Sequence, residues 1–225
     1  MDSAGGGELH YLDGMDNTGG LAIISYGTLI MQSGTVENHT KCNSSAIQGA
    51  IDVRANEWGA QYQYHSVFTM NGGVLKSNGD NTLRIYDSSQ TGTGSVVVDF
   101  EINDGEIYGA DAVFIMPSWT KDYSTGEKYM NQINVSVKGG SFDTTNGIRV
   151  YGIVKDDEKS YKAIKINVSG GVFKIHENQK HRVNYVAFQN SENRKSTQED
   201  TQYLVSYTEV NWTAAAPTYS APVSE

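Results

Sequence analysis

Asp99 and Glu101, in the segment VVDFEI at 97–102, are the closest this sequence comes to a catalytic pair. They alternate with Val98, Phe100 and Ile102, so period-two spacing puts both acids on one strand face, roughly 6–7 Å apart. A glycosidase needs two carboxylates about 5–9 Å apart, one as acid and one as nucleophile or base. A lyase of the β-helix type needs an acidic cluster for Ca²⁺ and a nearby Arg or Lys as base. Down the repeats, the position of Glu101 reads Ile30, Thr69, Glu101, Ser136, Asn167, with one carboxylate in five. A solvated acidic face accounts for that pattern, and no catalytic residue is assigned.

Other reactive groups give still less. Asp156, Asp157 and Glu158 are consecutive, so their side chains diverge, and solvation suffices to explain them. The histidines His10, His39, His65, His176 and His181 lack ligand spacing apart from a loose His176/His181 pair, and no metal site is assigned. Cys42, the single cysteine, has no positioned base and can form no internal disulfide. The Gly-Gly pairs precede no helix that could cradle a phosphate, and no cofactor is expected.

The aromatic residues are more informative. Trp58, Tyr62 and Tyr64 fall in one connecting arc, Trp119, Tyr123 and Tyr129 in another, and Tyr151 and Tyr161 in a third. Flat rings with polar neighbours suit sugar rings, whose C–H faces stack on π systems. The glycan-binding candidates are Trp58, Tyr62, Tyr64, Trp119, Tyr123, Tyr151 and Tyr161. The competing expectation is that these rings pack down over the core and cover an open corner.

A repeat must position these arcs. LIMQSGTV at 29–36, FTMNGGVL at 68–75, FEINDGEI at 100–107, VSVKGGSF at 135–142 and INVSGGVF at 166–173 share one pattern. Two apolar residues at period two are followed by a turn and a third apolar residue. Gly34, Gly73, Gly105, Gly140 and Gly171 anchor the turns at spacings of 39, 32, 35 and 31. The third apolar residue lies five positions past the second, which in a straight strand would face it outward. A bend is therefore required, and the anchor glycine supplies positive φ. A second strand follows each unit: Ile51/Val53, Leu83/Ile85, Val113/Ile115, Ile148/Val150 and Val186/Phe188.

Constant strands with variable arcs predict an all-β fold, a single-stranded parallel β-helix or β-solenoid. It would have about five coils of 31–39 residues plus atypical capping coils. A sandwich would show hairpin signals and no repeat, and a propeller blade would need about four strands in each ~40–50 residues. The parallel β-helix domain is expected over 1–212, and the Ala/Pro/Ser/Thr-rich end, 213–225, reads as a flexible tail or linker. Stacking register alone predicts an outward, solvent-facing ladder of Asp52, Arg84, Phe114, Arg149 and Ala187, with an ion pair followed by an Arg–Phe–Arg stack.

Composition agrees. The chain of 225 residues has 19 Val and 15 Ile against 7 Leu, with 24 Gly and 17 Asn, which suits strands and turns. A net charge of −9 with 5 Arg argues against nucleic acid and anionic membranes as partners. No stretch approaches the ~20 apolar residues of a membrane span.

MNGGVLKS, VKGGSFDT and VSGGVFKI resemble the ITxNGGTF-type repeats of large extracellular β-helix surface proteins of gut Firmicutes, often labelled carbohydrate-binding or uncharacterised. The resemblance covers roughly residues 20–190, with Ser33 and Asp104 standing where glycine is usual. It implies secretion or surface display as part of a larger chain, and a glycan or polysaccharide partner. The alternatives are a structural spacer or adhesin stalk without its own ligand, or a lyase- or glycoside-hydrolase-like enzyme.

Overall fold

The structure, a computed structural model, describes residues 8–11, 21–39, 49–59, 61–78, 81–89, 91–153, 163–176, 182–183, 185–190 and 208–220. It is a parallel β-solenoid, with no helix among the described residues and so none long and apolar enough to cross a membrane. One wall is a parallel sheet of six strands: Thr28–Met31, Ser66–Met70, Val97–Ile102, Gln132–Val137, Ile164–Val168 and Thr208–Trp212. After the glycine turn the chain enters a second wall and then a third. These two form one 13-stranded sheet, because Glu106–Met116 and Ser141–Ile153 run through the bend between them.

The anchor glycines behave as the repeat requires. Gly34, Gly73, Gly105, Gly140 and Gly171 have φ of 94°, 93°, 120°, 96° and 98°. Each lies one coil from the next, so the five expected units span four full turns, with partial coils beyond them. At Gly73 a Cβ would sit 2.6 Å from the Gly34 carbonyl oxygen, so crowding as well as φ demands glycine there.

Inward positions stack by type. Phe68 lies against Phe100 at 4.7 Å between ring centroids, and Phe142 stacks on Phe173 at 4.1 Å and 4°. On the third wall Ile51, Leu83, Val113, Ile148 and Val186 are in register and fully buried. At the C-terminal end Trp212 lies 4.9 Å from Phe173 and lids the ring column.

Two expectations need correction. The stretch from 213, read as a flexible tail, continues the stack as far as Ser220: Thr213 and Ala214 N–H donate to Val168 O, and Thr218–Tyr219 pairs with Val172–Ile175. The reason is local: this turn repeats the bonds that Ser169 and Gly170 make to Val137 O one coil earlier, without needing a glycine. The ladder Asp52, Arg84, Phe114, Arg149, Ala187 has the expected register. It does not face solvent, since Asp52, Arg84, Phe114 and Ala187 are all buried. Outward orientation is dictated by strand alternation, whereas exposure depends on what lies over the sheet.

Candidate functional site

The outer face of the third wall carries Asp52, Arg54 and Asn56 in alternation, and the chain then turns back as a hairpin. Gly49–Glu57 pairs antiparallel with Gln63–Tyr64, placing Asn56 opposite Tyr64 and Glu57 opposite Gln63. Trp58 N–H donates to Tyr62 O at 2.9 Å and closes the turn. Opposed residues share a face and alternate residues return to it, so Asn56, Trp58, Tyr62 and Tyr64 project from one side. Trp58, Tyr62 and Tyr64 are 66%, 56% and 47% exposed. Tyr26 adds a fourth ring, edge-on to Tyr64 at 6.3 Å.

The opposite side of the hairpin is anchored. Glu57 is 1% exposed, and its carboxylate oxygens accept from Thr93 N–H (3.0 Å), Gly94 N–H (3.1 Å) and Ser95 Oγ (2.8 Å) of the next arc. The Glu57 N–H donates to Ser89 Oγ at 2.6 Å, and Asn131 Nδ2 donates to the same hydroxyl from the arc after that. Asn131 also donates to Asp87 at 3.1 Å. Burial pushes the Asp87 carboxyl up, against the lowering effect of its bonds from Ser89 and Asn131. Three successive arcs are thus joined through side chains.

Tyr26 was missed by sequence reasoning because it precedes the first repeat unit. Register could have found it. Ser25 pairs with Val53, so Tyr26 belongs to the column of Arg54 and Tyr86, and Arg54 lies between the two rings at 5.9 and 5.6 Å.

The remaining candidates separate. Tyr123 stands at the tip of the hairpin formed by Trp119–Lys121 and Lys128–Met130 and is 77% exposed. Trp119 is placed in that hairpin, opposite Met130, with its side chain outside the description. Tyr151 is half-buried against Phe114, 5.6 Å between centroids, which is the self-packing alternative. Tyr161 lies outside the described residues, as do Cys42, His181 and Asp156 to Glu158. Among the described residues no ring contact joins the first arc to the third, and no three metal-ligating side chains gather.

The carboxylate pair is engaged on its surface. Asp99 accepts from Asn134 Nδ2 at 2.8 Å, and Glu101 accepts from Lys138 Nζ at 2.5 Å and Asn103 Nδ2 at 2.7 Å. Lys138 and then Asn103 hold the Glu101 carboxyl below its usual range, opposite to what a general acid requires. Asn103 continues a ladder to Asn71 and Gln32, beside a shallow trough of about 510 Å³ along Gly73, Gly105 and Gly140.

One constellation had no signal in the sequence. His176 bonds through Nε2 to Asp143 and through Nδ1 to Ser220 Oγ at 2.6 Å. The nearby backbone N–H groups are committed, His176 to Thr144 O and Ser220 to Ile175 O, and so neither can stabilise an oxyanion. The arrangement ties the C-terminal strand to the stack. No family model matches the chain, and neither curated proteins nor solved structures give a significant match.

Proposed function

We propose that this chain is a non-catalytic β-solenoid module of a secreted or cell-surface bacterial protein, which binds glycan through the hairpin face of the first arc. The observation that supports it is the projection of Trp58, Tyr62 and Tyr64 from one side of a two-stranded hairpin whose other side is anchored. Exposed aromatic clusters on a soluble protein mark interaction surfaces, and rings held in fixed geometry suit the C–H faces of sugars. The test is native electrophoresis through gels cast with soluble β-glucan, xylan or mannan. Wild-type protein is retarded by at least one polymer, and Trp58→Ala, with an unchanged melting temperature, is not. Equal retardation of the two proteins, or none for the wild type, overturns the reading. The packing of Tyr151 on Phe114 favours the self-packing alternative for that ring.

A further inference from the structure

Two-stranded hairpins are marginal in water on their own, and this one has two paired positions, Asn56–Tyr64 and Glu57–Gln63, and the turn bond from Trp58 to Tyr62. Three exposed rings on such a hairpin would have to be ordered at the moment of binding, which costs affinity. Something else has to hold it.

The inward partner of the ring-bearing face is Glu57. Thr93 and Gly94 direct consecutive backbone N–H groups at its two oxygens, Thr93 to Oε1 and Gly94 to Oε2, with Gly94 at φ 73°. Successive N–H groups in such a turn form a concave anion-binding nest. Ser95 Oγ and Gln63 Nε2 add donors to Oε1 at 2.8 and 3.4 Å. Gly92 lies so close that a Cβ there would overlap the Glu57 carboxyl carbon, so the second arc is shaped around this side chain. Gln63 further donates to Ser95 Oγ at 2.5 Å, and Gly59 N–H to Thr91 O at 2.9 Å, so both hairpin strands rest on the same arc.

We infer that Glu57 is the positioning residue of the binding face: its carboxylate, seated in the Thr93–Gly94–Ser95 nest, holds the hairpin so that Trp58, Tyr62 and Tyr64 are presented preformed. The consequence for affinity rests on the glycan-binding reading; the anchoring itself does not. Glu57→Gln is the discriminating change, because it keeps size and shape but turns an amide NH₂ toward one of two N–H donors. One oxygen cannot replace two.

The experiment compares wild type, Glu57→Gln and Ser95→Ala, which leaves the two N–H donors of the nest in place and removes the hydroxyl that donates to Glu57 and accepts from Gln63. Hydrogen exchange of peptides covering 56–64 is read with retardation in the same polysaccharide gels, well below the melting transition. Glu57→Gln should speed exchange in that segment about tenfold or more and weaken retardation several-fold, with exchange in the Val97–Ile102 strand unchanged. Ser95→Ala should fall between. Unchanged exchange at 56–64 in both variants overturns the anchoring. Faster exchange with full retardation shows that Glu57 only fastens the arcs and overturns the positioning role. Absence of retardation in wild type overturns the glycan reading and the positioning role together, while the exchange result still decides the anchoring.

Discussion

Arg84 grips Asp52 with two parallel bonds across adjacent coils, Nε to Oδ1 at 3.0 Å and Nη2 to Oδ2 at 2.6 Å, with both side chains out of solvent. Arg54 adds a third bond to Asp52 Oδ2, also at 2.6 Å. Stacking register brings Asp52 and Arg84 together, but burial changes what the pair does. An exposed pair contributes about 0–1 kcal/mol, whereas removing one partner of a buried pair strands the other.

Asp52→Ala should therefore destabilise by about 3–5 kcal/mol, because two guanidinium groups lose their carboxylate. Urea denaturation checks this. A loss under 1 kcal/mol would mean that the outer face is wet after all.

Two glycines test strain against crowding. Gly73 and Gly126 both have positive φ, 93° and 75°, but a Cβ at Gly126 meets nothing within 4 Å. Gly126→Ala should cost about 1 kcal/mol from backbone strain alone. Gly73→Val should cost about 3 kcal/mol, since a branched side chain would also press on the Gly34 carbonyl. Equal midpoints for the two variants would remove crowding from the account.

Asp143 gives a pH signature. Its bond to His176 first, and then Lys174 at 3.0 Å, hold the carboxyl below its ordinary value of 3.8. A depressed carboxyl contributes stability that is present above the ordinary value and lost as the pH falls through the folded value. Asp143→Asn should thus lower the stability at pH 7 modestly, by under about 1 kcal/mol for a group so open to solvent, read as a small drop in melting temperature. The gap to wild type should close as the pH drops below 3.8. A constant gap down to the acid transition would rule the ion pairing out.

Tyr62 and Tyr151 should separate binding from packing. Tyr62→Ala, on the exposed face, is expected to leave stability within about 0.5 kcal/mol and to weaken glycan retardation. Tyr151→Ala should cost about 0.5–1.5 kcal/mol through loss of its contact with Phe114, and leave retardation alone. Thermal melts and affinity gels on the same samples distinguish them.

The sequence by itself determined the coil. Period-two apolar pairs and the five anchor glycines that recur with them specify inward faces, bends and the register that sets Asp52 beside Arg84, because these are properties of a strand and its neighbours. Tertiary structure decided exposure and convergence. Whether Phe114 meets water depends on what covers the sheet. Whether Trp58, Tyr62 and Tyr64 share a face depends on a hairpin inside an arc that carries no repeat. The nest around Glu57 and the contact of His176 with Ser220 join residues 38 and 44 positions apart through loops and a closing turn. No periodicity encodes those distances; they arise from stacking coils whose arcs differ in length.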